Sequence, residues 1–295
     1  MAQRQRGEGF LCFSDMVSEK NPSAKVNEDR AYVGKRMAWV IDGATPLGVK
    51  NYTKTASDTE WIAERLNREF LKADQGGERW PATVLENAAV KIRQEFFRVS
   101  GLNELPPPAM MPSSQVAMLM WEEDERKLRY LMLGDSRIAI STPKITVELA
   151  DNRLQRFDAE AIAEMYKLQK TLGISHLEAR KKIDSIVIDN RALMNRKDTY
   201  WMFVPDKKAV EHVRIGNIDV EEKMKVIISS DGFYGAIGNM PGIESWEAMF
   251  KELERTDLKG MLARIRRYEE SDSECREFPR FKKHDDASAV LLEFQ

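Results

Sequence analysis

Apolar positions in this chain recur at two periods. Ile62, Leu66, Phe70 and Ala73 follow at helical spacing behind Ser57-Asp-Thr-Glu60, which has the capping-box form of a helix start. Leu85, Ala89, Ile92, Phe96 and Val99 form a second stripe, ending near Gly101. A third helix is predicted from about Asp158 to Leu172, closed by Gly173, and Ser175-His-Leu-Glu178 repeats the capping pattern ahead of Ile183 and Val187. Trp246, Met249, Phe250 and Leu253 mark another helix, and Leu258, Leu262 and Ile265 one more. The other apolar runs have strand length: Met37–Ile41, Gln115–Trp121, Leu128–Leu133, Ile138–Ser141, Val226–Ser229 and Ala287–Phe294, with a shorter one around Tyr32. Arg126-Lys127 separates two of them as a hairpin. Two helices lie between the early and middle strands and two more precede the last, which predicts sheets carrying helices on their outer faces, without βαβ alternation.

Two stretches interrupt this pattern. Glu104–Ser114 contains three consecutive prolines and reads as a stiff extended loop, and Glu269-Glu-Ser-Asp-Ser-Glu274 reads as an acidic turn before the last strand. Neither resembles an interdomain linker, so residues 1–295 are expected to form one domain with a helical insert at about 154–196.

Composition narrows the chemistry. The 46 Lys+Arg nearly cancel the 48 Asp+Glu, leaving a net charge of −2 and no bulk field of the kind that recruits nucleic acid or anionic membrane. No apolar run approaches the ~18 residues of a membrane span, and Phe10–Phe13 is too short for a signal-peptide core, so a cytoplasmic protein is expected. Cys12 and Cys275 stand alone, and His176, His212 and His284 form no zinc motif, which leaves carboxylates to carry the chemistry.

Those carboxylates are patterned. Three apolar runs stop at an aspartate followed by a small residue: Trp39-Val-Ile-Asp42-Gly43, Leu131-Met-Leu-Gly-Asp135-Ser136 and Ile227-Ile-Ser-Ser-Asp231-Gly232. The final run starts at His284-Asp285-Asp286-Ala287, and Asn27-Glu28-Asp29 precedes the strand near Tyr32. A strand end delivers its side chain to the rim of a sheet, and a neighbouring glycine or serine lets ligand or backbone approach. If the ends converge, five or six carboxylates share one volume and need counter-ions. An all-oxygen set without histidine suits Mg²⁺ or Mn²⁺, and two ions better than one.

The ordered set Asn27-Glu28-Asp29, Asp42-Gly43, Gly134-Asp135-Ser136-Arg137, Ser230-Asp231-Gly232 and Asp285-Asp286-Ala287-Ser288 resembles the successive motifs of the metal-dependent protein phosphatases, the PPM or protein phosphatase 2C family, in a compact bacterial-type form. The resemblance implies an α+β, four-layer αββα sandwich of two stacked antiparallel sheets flanked by helices, with metals in a cleft at one end. It implies that Asp42 bridges two Mn²⁺ or Mg²⁺ ions with help from the Gly43 carbonyl, that Glu28 binds one ion, and that Asp231 and Asp285 bind the other. Asp29 and Asp286 stand behind the ligands, Asp286 also being the alternative to Asp285, and Asp135 matches the position of a third, weaker metal. Arg137 is expected to be structural. The implied reaction is hydrolysis of phosphoserine or phosphothreonine in a phosphoprotein substrate by metal-activated water, with Asp42 and Asp231 central and no protein nucleophile.

Two positions depart from the family. Where it commonly has a phosphate-clamping arginine this chain has Ala24, with Lys25 beside it as the expected phosphate-binding group; where many members have histidine after Asp-Gly it has Ala44. These departures keep open a phosphatase-like module that binds metal and a protein partner. A two-metal nuclease is disfavoured because no basic stripe is present. The insert is expected to act as a cleft-covering flap or a peripheral hairpin, and Arg276, Arg280, Lys282 and Lys283 to attract an anionic substrate or form a solvated face.

Overall fold

A computed structural model describes residues 2–6, 10–45, 47 and 50–295. The chain opens with strands β1 (Ala2–Arg6), β2 (Leu11–Glu19), β3 (Arg30–Val33) and β4 (Met37–Ala44), then helices α1 (Asp58–Gly76) and α2 (Pro81–Ser100). Strands β5 (Ser113–Glu122), β6 (Lys127–Leu133), β7 (Arg137–Ser141) and β8 (Thr146–Leu149) follow. The insert holds α3 (Arg153–Leu172), α4 (His176–Lys182) and α5 (Asp184–Ala192). Strands β9 (Arg214–Asp219) and β10 (Lys225–Ser229), helices α6 (Asp231–Tyr234), α7 (Trp246–Leu253) and α8 (Leu258–Ser271), and strand β11 (Ala287–Phe294) complete the order.

The strands form a six-stranded sheet, β1-β2-β11-β10-β7-β8, and a five-stranded sheet, β3-β4-β5-β6-β9. Every pairing between them is antiparallel. Side-chain alternation sorts the residues into three layers of core. On β4, Met37, Trp39 and Ile41 face α1 and α2, while Ala38 and Val40 face the other sheet. On β10, Ile227 faces the layer of α7 and α8, while Val226 and Ile228 join Ala38 and Val40 between the sheets. Both faces of the central strands are therefore covered, which is why they read as continuous apolar runs. The expected αββα sandwich is the architecture observed.

Several expectations are corrected. The edge strands β1, β8 and β9 lack an apolar run, and polar Ser14 and Asp15 interrupt β2, so periodicity alone misses them. The insert has three helices where two were expected, and its first begins at Arg153. Glu269 and Glu270 lie inside α8, so the acidic turn is partly helix. The Ser175 capping box is complete, whereas at α1 only the serine half forms: Ser57 Oγ accepts from Thr59 N and Glu60 N, and Glu60 pairs with Arg30 at 3.5 Å.

Leu66 is fully buried in the α1 layer and Leu177 lies exposed on α4. Leu66→Ala is expected to cost ~2–5 kcal/mol in urea unfolding, and Leu177→Ala no more than ~0.5 kcal/mol.

Candidate metal centre

Antiparallel pairing makes the end of one strand the neighbour of another strand's beginning, so the acidic motifs gather at one end of the sandwich. In the five-stranded sheet Asp42 pairs across from Gln115, and Gln115 Oε1 accepts the backbone N–H of Asp135 beyond the end of β6. Gly134 bends the chain there with φ 98°, and a Cβ on it would stand 2.7 Å from the Gln115 side chain. In the six-stranded sheet Ser229, at the end of β10, pairs with Arg137 on one side and Ala289 on the other. That register sets Asp231 beside the approaches to β7 and β11.

Two buried aspartates join the sheets. Asp29 Oδ2 accepts from Ser230 Oγ at 2.9 Å, while its Oδ1 accepts from Gly43 N at 3.4 Å. Asp286 accepts from Asn21 N and from Glu28 N, both at 2.6 Å, and so fixes the loop that carries Glu28. The glycines after the aspartates permit this closeness: a Cβ on Gly43 would sit 2.5 Å from the Glu28 carbonyl oxygen, and one on Gly232 would sit 2.0 Å from that of Asp286.

Asp42, Gly43, Asp135, Asp231 and Asp285 line a cavity of about 220 Å³. Asp135, Asp231 and Asp285 also border an adjoining cavity of about 300 Å³, beneath the insert. Burial, with the charges of Asp231, Asp29 and Asp135, pushes the Asp42 carboxyl well above its usual range. Burial and the Asp231 charge do the same to Asp135, and burial and Asp286 to Asp29. Asp231 is pushed up to about 7 by burial and Asp285. Asp42 Oδ2 and Asp135 Oδ1 are buried oxygens without a hydrogen-bond partner.

The other expected site residues are placed differently. Glu28 accepts from the Ser57 hydroxyl and, at 2.8 Å, from Thr45 Oγ1. Asp285 pairs with Lys282 at 2.8 Å. Lys25 is exposed, and neither it nor Glu28 lines the cavity. Arg137 reaches Glu148 at 2.5 Å, lies 4.3 Å from the Tyr234 ring centroid and lines the adjoining cavity.

Sequence reasoning missed Asp158 of α3, Arg180 of α4 and Arg191 of α5, all of which line the same cavity. Burial raises the Asp158 carboxyl to about 6 against the pull of Arg191. On amphipathic helices these residues look like ordinary solvent-facing charges, and nothing in their spacing points inward.

Solved structures share this shape at low sequence identity. The PPM Ser-Thr phosphatase MsPP from Mycobacterium smegmatis is 12% identical, with a TM-score of 0.56 over 97% of this chain and 99% of that one. The catalytic domain of the serine/threonine protein phosphatase PstP, in complex with two manganese ions, is 13% identical with a TM-score of 0.54, covering 95% and 96%. RsbX in complex with magnesium is 9% identical with a TM-score of 0.50 over the whole of both chains. The chain has the PPM phosphatase fold. It matches no protein-family model and no curated protein sequence.

In PPM terms, the donor chemistry here fits a hard divalent cation. The set is all oxygen, its charges raise one another's pKa, and two buried oxygens await a positive partner. Among the described residues, no group of three or more His, Cys, Asp or Glu is arranged to hold a metal ion. Glu28 accepts from two hydroxyls, and Asp285 Oδ1 pairs with Lys282.

Two measurements check this centre. A carboxyl titrating higher in the folded than in the unfolded chain takes up protons on folding, so its stabilising contribution is present at low pH and lost as pH rises through the folded value. In excess EDTA the melting temperature is therefore expected to fall as pH rises from about 5 to about 7.5, because unfolded aspartates titrate near ~4 and Asp231 near about 7. Asp231→Asn should flatten that slope, and a melting temperature that climbs over the interval contradicts the assignment. Gly232→Ala is expected to cost ~1–3 kcal/mol in denaturant unfolding through its clash with the Asp286 carbonyl.

Proposed function

We propose that the chain is a Mn²⁺- or Mg²⁺-dependent phosphatase acting on phosphoserine and phosphothreonine in proteins. The observation that carries this reading is the pair of unpartnered buried oxygens, Asp42 Oδ2 and Asp135 Oδ1, inside a carboxylate group at one end of a PPM fold. Glu28, Asp42, Gly43, Asp231 and Asp285 would hold two ions, and Asp135 a third. Bound divalent ions supply Lewis acidity, making the attacking water more acidic and neutralising phosphoryl charge.

The chain's own residues set the conditions. Neither cysteine and none of the three histidines lines either cavity, so no thiolate or imidazole nucleophile faces the substrate position. Asp29 and Asp286 hold the rims of the two sheets together and so fix the spacing of the carboxylates on either side. Ala44 offers no proton donor to the leaving oxygen. Asp158, raised to about 6, is the insert's carboxyl in the cavity and can hold a proton near neutral pH for that purpose.

The test is turnover of p-nitrophenyl phosphate and a phosphothreonine peptide with added Mn²⁺. Asp42→Asn and Asp231→Asn are each expected to lower kcat at least ~100-fold, in line with loss of electrostatic transition-state stabilisation. Equal rates in wild type and both variants would sink the reading. The Lys282–Asp285 ion pair, with Ala24 and Ala44, favours a second reading as a phosphatase-like module that binds metal and a protein partner. Mn²⁺ binding by calorimetry without turnover on either substrate would select it.

A further inference from the structure

The carboxylate cavity has a cationic side. Lys282 lines both cavities and points its ammonium at Asp285 Oδ1, 2.8 Å away. Asp42 and Asp231 line the smaller of these cavities with it, so the ammonium borders a cavity that holds three expected metal ligands. Arg191 lines the same cavity and spends one of its N–H donors on Ser113 Oγ at 3.1 Å. Arg180 lines it too, braced by Asp184 and lying 5.5 Å from the Phe281 ring centroid. Lys25, the residue next to Ala24, is outside.

The neighbouring basic residues are committed elsewhere. Arg280 is bound to Asp272 at 2.8 Å and to backbone carbonyls, and Lys283 to Glu270 at 2.5 Å. Lys282 differs from them in its partner, which is an expected metal ligand, and its flexible stem can swing the charge a few ångströms. A divalent ion entering among Asp42, Asp231 and Asp285, which line the cavity with Lys282, would repel the ammonium and compete with it for Asp285. The displaced charge would remain at the mouth of a cavity already bordered by two guanidinium groups, where a phosphoryl dianion is the complementary ligand.

We propose that Lys282 is a shared counter-cation, paired with Asp285 until divalent ions take over the carboxylates and then released to hold the substrate's phosphoryl group beside Arg191. This rests on the phosphatase reading for the identity of the anion. It makes Lys282 a substrate-positioning residue in place of the arginine missing at position 24.

The role predicts two effects of opposite sign. By calorimetry, Lys282→Met is expected to bind Mn²⁺ at least fivefold more tightly than wild type, because Asp285 no longer has a competing partner. In the Mn²⁺-loaded protein the same variant is expected to bind inorganic phosphate at least fivefold more weakly and to raise KM for p-nitrophenyl phosphate similarly. Lys282→Arg should restore phosphate binding in part. Lys283→Met, the same charge change one residue on, should move neither quantity. Weaker or unchanged Mn²⁺ binding in Lys282→Met overturns the inference, as does unchanged phosphate binding. Phosphate and Mn²⁺ shifts as expected, in a protein without turnover, would support the counter-cation role while the phosphatase reading fails. Turnover in wild type with no effect of Lys282→Met would do the reverse.

Discussion

Mutual repulsion among buried carboxylates is the constraint around which this structure is arranged. Asp29, Asp42 and Asp135 are almost wholly buried, and each is held well above its ordinary pKa by burial and by neighbouring acids. Such a group is tolerated where hydrogen bonds and the surrounding core hold it in place. Asp29 is held by the Gly43 N–H and the Ser230 hydroxyl, and Asp286 by the Asn21 and Glu28 N–H groups, with a three-layer apolar core behind them, while Asp42 Oδ2 and Asp135 Oδ1 have no such partner. Folding stability is lowered at one rim by carboxyls that burial and their neighbours hold toward the protonated form.

The parts of the fold legible in the sequence are those where burial imposes a period. Helices α1, α2, α7 and α8 bury one stripe each, and the central strands β4, β5, β6, β10 and β11 are apolar on both faces. Strands β8 and β9 lie at sheet edges with half-exposed, polar sequences, so their pairing is decided by the neighbouring strand and not by their own pattern. The candidate site divides similarly. Asp42, Asp135, Asp231 and Asp285 were legible because each follows or precedes an apolar run, and a strand end has a fixed place at the rim.

Asp158, Arg180 and Arg191 were not legible, because they sit on helices whose docking onto the rim is a tertiary event. Lys25 shows the complementary limit of reading a loop from its sequence. Adjacency to Ala24 in sequence says nothing about which way a loop residue faces, and this one faces solvent. Sequence alone does not tell Lys282 from the basic residues near it; their partners do, Asp272 for Arg280, Glu270 for Lys283 and the expected ligand Asp285 for Lys282.

The insert is fastened to the segment that ends in Asp285. Gln169 of α3 donates to the Glu274 carbonyl at 2.9 Å, His176 N donates to Glu274 Oε2 at 2.9 Å, and the His176 ring meets the Phe281 carbonyl at 3.2 Å. The roof of the cavity and the strap bearing its counter-cation therefore form one mechanical piece. Residues 98 to 105 positions apart in sequence thus meet over one cavity, and the contacts that seat the insert are the same ones that seat the segment bearing Lys282 and Asp285.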